Sequence, residues 1–590
     1  MSCVLNIQNM LTTGCYLGSR LLATRASCPR DVIHVNLTDI RFQSSRFASE
    51  VPTLTYHCWH AEGVPCRSTF FTSREQANFQ LFPTMMSSDH IQLSFEKAFR
   101  AYTTGEFAAA LHHLENVLPH DPQHYDAMHL RGQIALKQND LEQAEIWLTQ
   151  VIRLKPHPLF YNSLCVIQTR KGAFASAAES ARAGLSMHDQ CRQDLIVMLL
   201  YNLGVALQSC DLLQQAVNAY RLAAALDPLH SECRNNLSTC LNALGDLNGA
   251  IEVLRESVVL NPDNHAARSN LGHSLLAAGQ FSEGWRYCED RWAAYQVADG
   301  PFAFRPADLP IPRWLGQTVA NNARLLVLSE QGLGDMLQFC RYLPMALTHF
   351  RAVAFVCPKP LRRLLNDSLC ASNPGLTLLN AMPADLQQWD WYCPMLSLPL
   401  AFDTRLDTIP ADLPYLRSNP LVALEWATRI NAQHADRRPR IGLVWAGGHS
   451  GTVLDRRRSV AVDEMARLLA WPHAQWISLQ KAETAEKQLS REHHPNVIDW
   501  MDDVEDFADT AALIESLDLV ISVDTSVAHL AAAMGKRVWL LNRYAGCWRW
   551  LRNRDDSPWY PGLRIFTQRT RGEWTAVLDH VLLALEREYR

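Results

Sequence analysis

The feature that most constrains this chain is a recurrence: Pro122 and Pro156 stand 34 residues apart, and so do Pro228 and Pro262. Aligned on those prolines, Ala98, Gly132, Gly204, Ser238 and Gly272 occupy one small-residue position, and Ala110, Ala144, Ala216 and Ala250 a second. Small residues at both places let two helices approach closely, while Gly105, Gly245 and Gly279 supply the turn between them. Leu114, Leu148, Tyr220 and Leu254 recur at the next position and fill the groove. The predicted unit is a helical hairpin, repeated about six times between Ile91 and Trp292, with the third, around Leu159 to Met187, degenerate and lengthened. One hairpin cannot cover its own apolar face, so hairpins stack into a curved solenoid whose concave side suits extended ligands.

These positions resemble the tetratricopeptide repeat. At one recurring inner position stand Asn202, Asn236 and Asn270, whose amides can donate to and accept from a peptide backbone. A comparable ladder holds the acceptor polypeptide in the repeat domain of O-GlcNAc transferases, so this resemblance implies a protein or peptide ligand. The same asparagines can equally bond within the array. From Phe281 to Trp292 the unit takes on a bulky aromatic set and reads as a cap; prolines at 301, 306, 310 and 312 then form a hinge or strap that no helix can continue through.

Composition narrows the function. Among 590 residues, 55 basic against 60 acidic side chains leave a formal charge of −5, which gives no bulk reason to bind nucleic acid. At 48% hydrophobic and 19% charged the chain is too apolar for general disorder, and its length calls for several domains. Sixteen scattered cysteines, with neither a Cys-x-x-Cys pair nor a zinc-spaced cluster, fit a reduced cytoplasmic setting and predict no metal site. No apolar run approaches the roughly 18 residues of a transmembrane helix. The first 84 residues contain no Lys and show no periodicity. They read as a disordered extension or as residues ahead of a true start at Met85 or Met86; the arginine-leaning opening, with Arg20, Arg25 and Arg30, also admits an organellar presequence.

From Arg324 short apolar strands alternate with helices, the pattern of parallel sheets covered on both faces. Strand Arg324 to Glu330 leads into Gln331-Gly-Leu-Gly-Asp335, where Gly332 and Gly334 let backbone N–H groups approach a phosphate or sugar and Asp335 can cap the helix. After Ile441-Gly-Leu-Val-Trp445, Gly447 and Gly448 open a loop through Arg456-Arg-Arg-Ser459, a candidate diphosphate clamp or a solvated basic loop. Lys481 follows strand Gln475 to Leu479 at the edge where such sheets bind ligands. The most specific segment runs from Leu517 to Gly535: a strand, then Asp524, Thr525 and Ser526 at a helix start, with His529 one turn in. That helix start suits a diphosphate, or is an N-cap with no ligand. Trp548 to Pro561 is aromatic and basic enough to stack on a base or sugar, or else packs between the sheets.

Together, the Gly-Leu-Gly-Asp turn, the Trp-x-Gly-Gly and Asp-Arg-Arg-Arg-Ser loop and the Val-Asp-Thr-Ser-Val-Ala-His segment resemble the ADP-heptose heptosyltransferases. The whole chain resembles bacterial tetratricopeptide proteins that carry such a domain. The resemblance covers about Ile91 to the C-terminus and leaves the atypical start over 1–84 outside; with the α-solenoid over 91–295 it implies a multidomain chain ending in an α/β GT-B glycosyltransferase of two Rossmann-like domains, 315–430 and 438–590. It also implies a nucleotide-sugar donor, with Asp335 as base and with Asp524, Thr525, Ser526 and His529 at the nucleotide or diphosphate. Ser526 stands where heptosyltransferases usually place glycine, and arginines stand where a lysine is expected before Ser459. The charge that builds on the departing phosphate needs cations and N–H donors, for which Arg458, Lys481 and the Ser526 helix start are the candidates. No Asp-x-Asp occurs, so catalysis without a metal or other cofactor is expected. A scaffold with a degenerate transferase domain and a sugar-nucleotide epimerase are the competing readings.

Overall fold

The computed structural model describes residues 87–294, 309–433, 437–448, 453–481 and 496–589. The extension expected over 1–84 and most of the proline-rich strap lie outside them. The chain forms two units, divided between Asp227 and Pro228.

The first unit is helical: α1 (Ser88–Thr103), α2 (Phe107–Glu115), α3 (Tyr125–Lys137), α4 (Leu141–Leu154), α5 (Pro158–Arg170), α6 (Phe174–Ser186), α7 (Gln193–Ser209) and α8 (Leu213–Leu226). They pair as antiparallel hairpins for the reason the small residues indicate. A Cβ added at Gly204 would lie 2.7 Å from Cδ1 of Tyr220, and one at Gly132 would strike Leu148, so the glycines create the space those buried side chains occupy. Gly105 and Gly172 turn the chain in the left-handed region at φ +81° and +77°, and Asn139 and Asp211 take the same role at +63° and +65°. Asn and Asp tolerate that region better than other non-glycine residues, which is why the turn survives where glycine is missing. The extra length of the third hairpin is a 3₁₀ turn at His188–Gln190.

The second unit opens with two more hairpins, α9 (Ser231–Ala243) with α10 (Leu247–Leu260) and α11 (His265–Ala277) with α12 (Phe281–Cys288), and a short α13 (Arg291–Ala294). Two wholly parallel sheets follow. The first has the order β3-β2-β1-β4, with β1 (Arg324–Leu328), β2 (Ala352–Val356), β3 (Leu376–Leu379) and β4 (Trp391–Pro394). The second has the order β10-β9-β8-β5-β6-β7, with β5 (Arg440–Val444), β6 (Gln475–Ser478), β7 (Val497–Ile498), β8 (Leu519–Val523), β9 (Val538–Asn542) and β10 (Leu563–Thr567). Their strands are almost continuously apolar because helices cover both faces. β1 is flanked by β2 and β4, and β5 by β6 and β8, so the order reverses at β1 and between β5 and β8. The loops leaving those strands are therefore where crevices form.

The aromatic set of α12 is a docking surface. Trp285, 3% exposed, meets Trp548, Phe339 and Trp559 edge-on and donates its Nε1–H to the Thr404 carbonyl at 2.9 Å. Behind it, Arg291 is buried between Glu330 and Glu289. Its Nε and Nη2 donate to both Glu330 oxygens at 2.9 and 2.8 Å, Nη1 to Glu289 at 2.9 Å, and Nη2 to Ser397 Oγ at 2.9 Å. Glu330 lies two residues past the end of β1, so a side chain of the helical segment holds the residue from which the glycine turn departs.

Candidate functional site

The glycine turn after β1 leads into α14 (Leu333–Phe339), and the Asp524-Thr-Ser turn after β8 leads into a second helix, α15 (Ser526–Ala533). Their first turns abut. A Cβ on Gly334 would stand 3.1 Å from His529 Cδ2 and 3.5 Å from Ser526 Cα, which explains the glycine there. Gly332, Gly334, Asp335, Ser526 and His529 thus come together, from the two sheets, at the places where strand order reverses. Gln331, at φ +60°, bends the chain so that the Gly332 N–H reaches Asp335 Oδ2 at 2.9 Å.

Asp335 Oδ1 is ion-paired with Arg549 in the 3₁₀ turn Trp548–Trp550. Burial alone would lower the Arg549 pKa, but Asp335 with its neighbours holds it above the ordinary arginine value. Arg549 also donates to Cys547 Sγ at 3.1 Å, lies 4.4 Å from the Trp548 ring centroid and feels Asp524. Further guanidiniums gather at Asp524. Arg458 donates to the Asp524 carbonyl at 3.1 Å. Arg543 is pushed below its ordinary value by burial, an effect that Cys547 and Asp524 oppose and that Arg457 and Arg458 reinforce. Arg552 is lowered likewise by burial and by Arg543, and its Nε is buried without a hydrogen-bond partner. Among the described residues, Arg458, Arg543 and Arg549 thus stand around Asp524 and Asp335, with Arg457 and Arg552 beside Arg543, a concentration of guanidiniums that suits an anion. Thr525 is the N-cap of α15 and bonds Ser522 Oγ at 3.0 Å without capping the helix through its side chain, so the first turn of that helix begins uncapped beside Asp524.

Other expected residues are placed differently. Lys481 donates to the Val504 carbonyl at 2.8 Å. His529 lies behind the rim, 4% exposed, stacked on Trp550 with centroids 5.0 Å apart and bonded through Nδ1 to the Tyr560 hydroxyl at 2.9 Å. Burial, with Arg549 and Arg341 nearby, holds it far below the usual histidine pKa, so it is a neutral part of the wall. Trp550, Trp559 and Tyr560 are fully buried, which makes the aromatic tail packing rather than a stacking platform. Arg341 binds that tail, donating to the Trp559 and Pro410 carbonyls at 2.9 Å and to the Tyr415 hydroxyl at 2.8 Å. Asn202 gives its amide N–H to Asn162 Oδ1 at 2.8 Å and Asn270 to Asn235 Oδ1 at 3.3 Å. Arg543, Arg549 and Arg552 were not singled out from the sequence. Arg549 and Arg552 fall within the basic, aromatic tail, whereas Arg543 precedes it and carries no such signal. Among the described residues no group of His, Cys, Asp and Glu is arranged to hold a metal ion, and no helix is long and apolar enough to cross a membrane.

Comparison with known proteins gives matches to parts of the chain. Residues 101–164 and 201–265 match tetratricopeptide repeat families, and residues 471–542 match glycosyltransferase family 9 (heptosyltransferase). The last span includes Lys481, Asp524, Thr525, Ser526 and His529; Asp335, Arg458 and Arg549 lie beyond it. Protein FlbA of Caulobacter vibrioides is 26% identical over 333 residues, 53% of this chain and 53% of its own length, so the chain spans about half of the curated relative it matches. Among solved structures, the type IV pilus biogenesis factor PilW is 14% identical with a TM-score of 0.33, covering 36% of this chain and 97% of its own. MamA of Desulfovibrio magneticus RS-1 is 18% identical with a TM-score of 0.28, covering 30% and 97%.

Proposed function

We propose that this chain is a glycosyltransferase of the two-lobed GT-B kind, moving a sugar from a nucleotide-diphosphate donor to an acceptor hydroxyl. The observation that carries the reading is the arginine cluster at the start of α15, beside a carboxylate from the other lobe. The diphosphate lies against Arg458, Arg543 and the N–H groups that follow Thr525, with Asp524 orienting the arginines. As the bond from the anomeric carbon to the outer phosphate breaks, its electron pair passes to the phosphate oxygen, where fixed cations already stand. The acceptor oxygen bonds to that carbon, and its proton goes to Asp335. The guanidiniums supply the charge that a metal brings in other transferases. The match over 471–542 and the partial likeness to FlbA support the family level of this reading.

The repeats hold the acceptor, a protein or peptide, on their concave face. At Asn202 the amide N–H is spent inside the array on Asn162, and its carbonyl oxygen is the group offered to a peptide N–H. A cytoplasmic setting accords with the cysteines, none of which is in a disulfide among the described residues.

One observation favours a binding protein without turnover: both oxygens of Asp335 are occupied. Incubation with ADP-, UDP- and GDP-linked sugars decides between the two. Hydrolysis or transfer that is abolished in Asp335→Ala is the expected result. Binding without turnover would establish a scaffold, and interconversion of the free sugar nucleotides an epimerase.

A further inference from the structure

Each carboxylate oxygen carries two lone pairs, so one partner per oxygen does not block protonation, but a carboxylate paired with a guanidinium is a weaker base than one released from it. The Gly332 N–H belongs to the backbone at the start of α14 and stays. Arg549 is a side chain whose other bond is to the Cys547 sulfur, a weak acceptor. It stands between Asp335 on one lobe and Asp524 on the other, and Asp524 also acts on Arg543. Cys288 and His273 from the last repeat and His529 from α15 also feel its charge. Burial, with Arg549 adding to it, holds His273 down at about 4, and His529 is lowered by the same causes, so neither ring offers Asp335 a substitute cation.

We propose that Arg549 is a catalytic residue of the donor subsite: its guanidinium exchanges Asp335 for the donor's phosphate oxygens, so that the base is uncovered only in the donor complex. The exchange rests on the transferase reading above and adds an order to it. The donor binds, Arg549 turns to the diphosphate, and Asp335 Oδ1 then faces the acceptor hydroxyl. Acceptor proton to Asp335, acceptor oxygen to the anomeric carbon, and the released electron pair to the phosphate oxygen beside Arg549 complete the transfer.

Inorganic pyrophosphate tests the exchange independently of the sugar and base of the donor. Calorimetry on the full chain should show Asp335→Asn binding pyrophosphate about 5–10-fold more tightly than wild type, because Arg549 is released. Arg549→Gln should bind at least about 10-fold more weakly, and the double variant should match Arg549→Gln. If Arg549→Gln does not fold, Arg549→Lys carries the same test, with about a 3-fold loss and a smaller gain on adding Asp335→Asn. Unchanged or weaker binding in Asp335→Asn, a gain that persists without Arg549, or no pyrophosphate binding to either wild type or Asp335→Asn overturns the exchange. Failure of the transferase reading is seen separately, as an absence of turnover with every nucleotide sugar while this coupling persists.

Discussion

Replacing Arg291 by Met should unfold more than a surface ion pair's worth of structure, and the size follows from what is left behind. The guanidinium holds both Glu330 oxygens at 2.9 and 2.8 Å with side-chain exposures of 5% and 6% for the pair. Without it, Glu330 keeps the Leu396 N–H at 2.7 Å but no cation, whereas Glu289 retains Arg313 at 3.1 Å. Leaving one buried charge unpaired costs about 3–5 kcal/mol. Taking up a proton limits that loss: neutralising an ordinary glutamate at pH 7 costs roughly 3.7 kcal/mol. The predicted loss is therefore about 3–4 kcal/mol at pH 7. If the orphaned glutamate escapes by binding a proton in the folded state, the loss must shrink by about 1.4 kcal/mol for each pH unit lowered toward 5. Urea unfolding followed by tryptophan fluorescence at pH 7 and pH 5 measures both quantities. Arg255→Met is the control, since its pair with Glu283 is 50% and 44% exposed and should be worth about 0.5 kcal/mol or less. An Arg291→Met loss within about 1 kcal/mol of that control, or one that does not diminish at lower pH, would refute the account of Glu330 as a buried charge held by the last helical segment.

Three further outcomes are expected. In Gly272→Ala the new Cβ would stand 2.6 Å from the Cys288 N and 2.9 Å from the Gly284 carbonyl, so α11 and α12 must part; thermal denaturation should show a loss of about 2–3 kcal/mol. Gly105→Ala, which meets nothing within 4 Å but holds φ +81°, should lose only about 1–2 kcal/mol by the same measurement. His129 accepts from Gln133 at 3.1 Å and its pKa is lowered to about 4 by burial and by His157. The unfolded chain thus binds the extra proton first, stability is intact above pH 6.5 and falls as pH drops toward 4, and about 2 kcal/mol should be lost between pH 7 and 5. His129→Gln should flatten that slope in chemical denaturation.

The helical half was legible because its determinants are local and periodic: a small residue and the one filling its groove stand 16 positions apart in Ala98/Leu114, Gly132/Leu148, Gly204/Tyr220 and Ser238/Leu254. The strands were legible for a related reason, since a parallel strand buried on both faces must be an apolar run, as Leu519–Val523 is. Gly332, Gly334, Asp335 and Asp524 to Ser526 could be found because strand, turn and helix start occur together in sequence. The arginines at 543, 549 and 552 could not. Their convergence depends on the 3₁₀ turn at Trp548, whose position is fixed by Trp285 more than 260 residues earlier, and no local pattern reports that contact. Nor does spacing reveal that the Asp335 oxygens are both engaged, because one partner is 214 residues away.

The seat of Trp285 sets the terms on which this chain can be dissected. A fragment begun at the prolines would strip the indole from Trp548, Trp559 and Phe339 and leave Glu330 without its guanidinium, presenting a greasy, charged scar to water. Anyone wishing to express the sheets alone must carry the final hairpin along with them, while trimming or grafting hairpins at the far amino end leaves that seam untouched.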